Sequence, residues 1–390
     1  MKILTVCNYI TNDGYIQTRK NNTGYGHMVN DIIFGLAPFV DIDVFTFSGS
    51  YRTFNINNVY FKSNFYFDRI KKNIFKSLYQ GGGCLFKGGL EKENFRTALS
   101  IASSDYYMKI ISEYDIIHVH GCTPNLLIII KLSLEMNKKV VVTLHGLNSI
   151  SEDNQAAKVI KESEEELFKL DSCDLYFSVL TPTAKGFLIK NGVPKSKVSV
   201  IPNFIQLPKV DGHKNYSEEK VVLYIGNISG QKNQKALLDT IEQYKYEFEN
   251  KVKFIFAGNI PDYFDTSKYD ELRNVTFLGQ VSRSEVSILY KNADATILLS
   301  RVEGFGLSIV EGFSYGLPTI INSDIEICSL LEDKDFIYKV RDVDDCKDIL
   351  RGINKILSWN GNKKEILEYS KNFSESKIIN RYIKLYNDVI

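Results

Sequence analysis

The sequence predicts an α/β protein of two doubly wound domains in tandem, and three observations carry that prediction. Its 390 residues are about twice the length of a common single domain. Short apolar runs alternate with longer helix-period stretches along most of the chain, the pattern of parallel strands covered by helices. Near the middle, Gln206-Leu207-Pro208-Lys209-Val210-Asp211-Gly212-His213-Lys214-Asn215 is polar and turn-rich, which separates one series of alternations from the next.

In chain order, Lys2–Val6, Asp43–Phe47, Ile116–His120, Val140–Leu144, Leu175–Val179 and Val198–Ile201 read as the strands of the first half. Val221–Ile225, Val252–Ala257, Val275–Leu278, Ala295–Leu299 and Thr319–Ile321 read as those of the second. Runs such as Val140-Val141-Val142-Thr143-Leu144 are apolar on both faces, as a strand covered on both sides must be. Two such domains facing each other across a cleft would place the strand C-terminal ends, where open α/β sheets bind ligands, in that cleft.

Composition narrows the function. A hydrophobic content of 44% with 24% charged residues is ordinary for a globular protein. With 48 basic against 47 acidic residues the net charge is +1, which argues against a general nucleic-acid binder. The six cysteines, Cys7, Cys84, Cys122, Cys173, Cys328 and Cys346, form no C-x-x-C pair, so neither a zinc ribbon nor a disulfide scaffold is expected and a reducing compartment is. No run reaches the roughly 18 apolar residues of a membrane span, and the N-terminal run is too short for a signal-peptide core. A cytoplasmic protein is the expectation.

Residues 294–322 carry the most information. A strand ends near Ser300, a turn with Glu303, Gly304 and Gly306 follows, and a helix starts near Leu307 with Glu311 one turn in. The glycines let backbone approach a ligand closely, and the unpaired N–H groups of a helix start suit a phosphate. Singly, each feature has a structural reading: glycine as turn punctuation, Glu311 as a complement to the helix dipole.

Together, Glu303-Gly304-Phe305-Gly306-Leu307, Glu311 and Gly316-Leu317-Pro318 resemble the E-x7-E signature of the retaining family 4 glycosyltransferases. Similar stretches surround it in the family's order: Tyr224-Ile225-Gly226-Asn227-Ile228-Ser229-Gly230-Gln231-Lys232-Asn233, Phe254–Gly258, Val275–Val281 and Tyr290-Lys291-Asn292-Ala293-Asp294. The resemblance implies the GT-B fold, two Rossmann-like doubly wound domains facing each other across a cleft. The N-terminal acceptor domain would cover 1–205, with a last helix at about 375–390 crossing back to it, and the nucleotide-sugar domain would cover 206–374.

The resemblance also implies roles. Glu303 would contact the donor sugar near the reaction centre, Glu311 the nucleotide ribose, and Lys232 the leaving diphosphate. Backbone at Gly226, Gly304, Phe305, Gly306 and Leu307 would hold diphosphate or sugar, and Val281 would contact the base. Asn227 stands where the family usually has arginine, which shifts leaving-group stabilisation onto Lys232 and the helix end.

In the first half, Gly24 and Gly26 of Thr23-Gly24-Tyr25-Gly26-His27-Met28-Val29 resemble the family's glycine-rich loop. An ordinary loop and a dinucleotide fingerprint are the competing readings, and the fingerprint lacks its third small residue. His145, at a strand end, stands where the family has a histidine on the donor sugar; His118 and His120 have only strand position in their favour. Residues 60–90 hold eight aromatics and six basic residues against the single acid Asp68. That suits either peripheral contact with an anionic membrane face or a solvated helix with a buried aromatic side.

The implied activity is retaining sugar transfer from a nucleotide-diphospho-sugar, UDP by family frequency, to a glycan or lipid-linked acceptor of cell-surface polysaccharide or glycolipid synthesis. The alternative is a catalytically degenerate partner subunit that binds nucleotide sugar or glycan, and a nicotinamide oxidoreductase ranks far behind. No cofactor or metal is expected: Asp41-Ile42-Asp43 and Asp342-Val343-Asp344 mimic the D-x-D of metal-dependent transferases and are expected in surface loops.

Overall fold

The computed structural model describes residues 1–11, 24–49, 51–65, 101–147, 155–208 and 218–390. The chain forms two compact units, Met1–Ile201 with Ile379–Ile390, and Pro202–Ile378. The division falls after Ile201 where the sequence set it after residue 205, and the terminal helix joins the first unit from Ile379 rather than from about 375. Most of the linker (209–215), Thr23 of the glycine-rich stretch and residues 66–90 of the basic, aromatic stretch lie outside the described residues.

The first unit holds one sheet of β1 (Lys2–Cys7), β2 (Asp41–Thr46), β3 (Phe54–Ile56), β4 (Val59–Phe61), β5 (Ile116–His120), β6 (Lys139–Leu144), β7 (Leu175–Val179) and β8 (Val198–Val200). Their order is β3-β4-β2-β1-β5-β6-β7-β8, and only β3–β4 is antiparallel. The sequence reading did not find that hairpin. Its turn is Asn57-Asn58, with φ of 48° and 67°, the left-handed region that asparagine tolerates and tight hairpins need. Among the described residues, the helices between these strands are α1 (Gly24–Leu36), α2 (Ser104–Ile111), α3 (Pro124–Glu135), α4 (Gln155–Phe168) and α5 (Pro182–Lys190).

The second unit is a fully parallel sheet of β9 (Lys220–Ile225), β10 (Val252–Ala257), β11 (Val275–Gly279), β12 (Ala295–Leu298), β13 (Thr319–Asn322) and β14 (Ile337–Val340), in the order β11-β10-β9-β12-β13-β14. The sequence reading missed β14, a four-residue edge strand whose two middle residues are only half-buried. Its main helices are α6 (Gln234–Gln243), α7 (Arg283–Asn292), α8 (Leu307–Ser314), α9 (Cys346–Leu357) and α10 (Lys363–Ser370), and α11 (Glu375–Val389) ends the chain. α7 starts on a Ser282–Glu285 capping box and α9 on an Asp345 cap, each satisfying first-turn N–H groups. α8 starts on Gly306, which has no side chain to do so.

The two faces of the first sheet differ. Leu4, Val6, Ile117, Val119, Val140, Val142, Phe177 and Val179 share one apolar core with Leu126, Leu127, Ile129 and Ile130 of α3. On the other face, in register, stand Thr5 beside His118, Cys7 beside His120, and Thr143 beside Ser178, all fully buried. The face is covered in part by Tyr382 and Tyr386 of α11, whose rings pack on His118. That face thus mixes buried polar groups with apolar ones such as Ile3, Ile116 and Val141.

The first D-x-D segment is not a surface loop. Asp41–Asp43 lies in β2, and Asp43 is buried, accepting a 2.6 Å hydrogen bond from the Tyr114 hydroxyl with Lys62 3.4 Å away. Two partners within the fold account for that carboxylate. The second segment does follow β14 on the surface, with Asp344 paired to Arg301.

Candidate active site

In the second sheet the strand order reverses between β9 and β12, and open α/β sheets bind ligands beyond the C-terminal ends of strands at such a point. The loops after those two strands meet there. Lys232, after β9, forms an ion pair through Nζ with Glu303, after β12; their side chains are 29% and 15% exposed. The Ser300 hydroxyl lies 3.4 Å from the same carboxylate oxygen.

Buried Tyr224 of β9 ties the two loops together. Its hydroxyl donates to the Lys232 carbonyl and accepts the Leu299 N–H at 3.3 Å. Asn322 Nδ2 holds the Ser300 carbonyl at 2.8 Å, and the Arg301 N–H reaches the Gln231 carbonyl at 2.8 Å. Backbone approach is close: a Cβ on Gly258 would overlap the Gly226 carbonyl group, which only glycine at φ of 153° avoids. Asn227 is exposed, and its Oδ1 accepts the Asn259 N–H at 3.0 Å, so it links the loops after β9 and β10.

Beyond Glu303 the chain turns through Gly306 in the left-handed region, φ 84°, where a Cβ would come within 3.2 Å of Leu298. The Phe305 ring is buried beside Phe373, so at the turn Phe305 contributes backbone. α8 then begins with N–H groups that no side chain caps, the arrangement that attracts anions. Glu311 is half-buried on α8, and the hydroxyl of fully buried Tyr290 on α7 lies 2.9 Å both from its Oε2 and from the Ser308 carbonyl. Tyr290 is stacked on Tyr315 at 5.2 Å. Burial raises the Glu311 carboxyl above its ordinary range, against the smaller opposing pulls of the Tyr290 hydrogen bond and Arg283.

Gly226, Asn227, Lys232, Glu303, Gly304, Phe305, Gly306, Leu307 and Glu311 thus lie around one reversal point. Val281 is half-buried past the end of β11, beyond β10 from β9. Gly24, Gly26 and His145 belong to the first unit. Both glycines are in the first turn of α1, the helix this stretch is read as opening. A Cβ on Gly26 would overlap the Thr11 side chain, and the Gly26 carbonyl accepts the Thr11 N–H at 3.0 Å, a packing reason for that glycine.

The first sheet reverses between β1 and β5, and there stands a chain of rings. His120 Nδ1 lies 2.9 Å from His145 Nε2, just past β6. His118 is held at both nitrogens, by Thr143 Oγ1 at 2.8 Å and the Tyr386 hydroxyl at 2.7 Å. Burial pushes His118 down to about 3 and His120 well below the histidine range, so both are neutral near pH 7. Nothing in the sequence marks Tyr224, Tyr290 or Tyr386 as partners; each reads as an ordinary core aromatic.

Residues 208–376 match the family model of glycosyl transferases group 1, and residues 91–208 that of glycosyltransferase family 4. A galactosyltransferase of the lipopolysaccharide outer core shares the fold over all of both chains, at TM-score 0.70 and 15% identity. These findings support a GT-B glycosyltransferase of the family-4 kind. Among relatives, an uncharacterised 41.2 kDa protein of the Klebsiella pneumoniae cps region is 26% identical over 75% of this chain and 85% of its own. The Escherichia coli UDP-Gal:alpha-D-GlcNAc-diphosphoundecaprenol alpha-1,3-galactosyltransferase is 27% identical over 60% of this chain and 64% of its own. Among the described residues, no helix is long and apolar enough to cross a membrane.

Proposed function

We propose that the chain is a retaining glycosyltransferase that moves a sugar from a UDP-sugar to a hydroxyl of a glycan or lipid-linked acceptor in cell-surface polysaccharide or glycolipid synthesis. The observation that carries this reading is the meeting of Lys232, Glu303 and the uncapped start of α8 at the reversal point of the second sheet. A cation and free N–H groups together suit a diphosphate, and Glu311, steadied by Tyr290, suits the ribose hydroxyls. The Escherichia coli relative supports the donor and the lipid-linked acceptor by its name. An α-linked UDP-sugar giving an α-linked product is retention.

In this mechanism the acceptor hydroxyl attacks on the face the diphosphate leaves, and its proton passes to a departing phosphate oxygen. Lys232 and the α8 N–H groups stabilise the charge that grows on the diphosphate; Glu303 and His145 orient the sugar. No metal is needed, and EDTA should leave UDP binding unchanged. Asn227 speaks less for the degenerate alternative than its missing charge suggests, because its oxygen has a structural task. The test is to incubate the protein with UDP-galactose or UDP-glucose without acceptor and follow the released sugar by proton NMR. The α-anomer appearing first is expected; the β-anomer first would contradict retention, and no release from either would favour the partner-subunit reading.

A further inference from the structure

We propose that Tyr224 is a positioning residue for Lys232: its hydroxyl, bonded to the loop after β9 on one side and to the chain just past β12 on the other, sets where the Lys232 ammonium stands against Glu303. The inference rests on the reading above that gives Lys232 the diphosphate. Every residue it uses belongs to the second unit. What points to it is a hydroxyl buried where packing alone asks for a ring.

Tyr224 is fully buried in β9, with its ring stacked on that of Phe256 at 5.8 Å. Phenylalanine would fill the same space, so the hydroxyl is the part to explain. A hydroxyl taken out of water costs free energy unless it is hydrogen-bonded, and here both of its roles are used. The Lys232 carbonyl can only accept and the Leu299 N–H can only donate. The single proton of the hydroxyl therefore goes to Lys232, and the oxygen takes the Leu299 N–H at 3.3 Å. Burial raises this hydroxyl above the ordinary tyrosine range, so it keeps its proton near neutral pH.

Both partners stand one step from the chemistry. Lys232 carries the ammonium, on a stem that runs beside Gly226, where an added Cβ would stand 3.9 Å from Cδ and Cε. Leu299 precedes Ser300, whose hydroxyl lies 3.4 Å from the Glu303 carboxylate. The rest of the β9 loop has its own supports. Buried Gln234 donates from Nε2 to the Asn227 carbonyl at 3.1 Å and accepts the Ser229 N–H at 3.3 Å. The Ser229 hydroxyl in turn accepts the Lys232 N–H at 3.2 Å. The Arg301 N–H still ties the loops at the Gln231 carbonyl, one residue short of Lys232. Loss of the tyrosine hydroxyl thus leaves the loop its shape and releases the step from Lys232 to β12. A cation fixed before the anion arrives needs no rearrangement to receive it.

Tyr224→Phe in the full chain removes the hydroxyl and keeps the ring. UDP affinity, read by calorimetric titration, should fall about fivefold, the scale of one neutral hydrogen bond. In a Lys232→Ala background the same substitution should change affinity by less than about twofold, because the ammonium it places is gone. Equal losses in the two backgrounds would show a general loosening of the unit and overturn the proposal, as would native affinity in Tyr224→Phe alone. Native affinity in Lys232→Ala would remove the diphosphate reading, and the placement is then decided without ligand. Crystal structures of the native chain and of Tyr224→Phe should show the Lys232–Glu303 pair opened in the variant; a pair of unchanged geometry overturns the proposal.

Discussion

Two sheets of similar topology meet their reversal points with different chemistry. After β9 and β12 of the second unit, charged and partly exposed groups stand together, Lys232 against Glu303, with Glu311 bonded to a tyrosine. After β5 and β6 of the first, His120 and His145 pair beside His118, and burial keeps His118 and His120 neutral. Fixed charges suit a diphosphate whose negative charge grows as the bond breaks. Neutral rings locked by hydrogen bonds suit orientation, because they direct a donor without an uncompensated buried charge. One α/β plan thus serves two tasks through the residues at its strand ends.

The comparison breaks most readily at Lys232. Lys232→Ala removes the cation at the proposed leaving group and leaves Glu303 without its ion-pair partner, and kcat for UDP release should fall by about 10² to 10³. Wild-type turnover in that variant would take the second reversal point out of the chemistry. Glu311→Ala should act on binding instead, raising the UDP Kd by about tenfold or more, while Glu303→Ala should lower kcat with little change in Kd. Titration calorimetry beside steady-state kinetics separates the two, and interchanged effects would contradict the roles given to these carboxylates.

A pH dependence sharpens the contrast. The ionised form of Glu311 is the one that accepts ribose hydroxyls, and burial raises its pKa. UDP affinity should therefore fall as pH falls, beginning at a higher pH than for an unshifted glutamate, and Glu311→Gln should flatten the profile. The first unit should respond through stability, the smallest of these effects. His118 and His120 have depressed pKa values in the folded state, so below about 6.5 the unfolded chain binds protons that the folded chain does not. Their contribution is complete above that pH and is lost as pH drops. Hydrogen exchange at pH 7.5 and 5.5, corrected for intrinsic rates, should show the β5 and β6 amides losing more protection than those of β9 and β12; an equal change would contradict it.

Much of this was legible in the sequence. The apolar runs mark every strand of both sheets except the β3–β4 hairpin and β14, because a strand covered on both sides has little choice of residue. The short hairpin at Asn57-Asn58 and the half-buried β14 carry weaker patterns and were missed. Glu303, Gly306 and Glu311 stand within one turn and one helix, so local spacing shows them. Lys232 lies 71 residues from Glu303, and only the resemblance, not spacing, put the two in one site. Thr5, His118, Thr143 and Ser178 read as polar interruptions of apolar strands, since their register and the covering helix α11 come from distant parts of the chain. Asp41–Asp43 misled for the same reason: nothing nearby in sequence announces Tyr114 as the partner of Asp43.

The central claim is that the reversal point of the second sheet binds the diphosphate of a nucleotide sugar through Lys232. The most direct test is calorimetric titration of UDP, GDP and ADP, without added metal, into the full-length protein and its Lys232→Ala variant. Binding of UDP in preference to the other two, with affinity reduced at least tenfold by the substitution, is the predicted result. Binding of none of the three, or equal UDP affinity in both proteins, would contradict the claim.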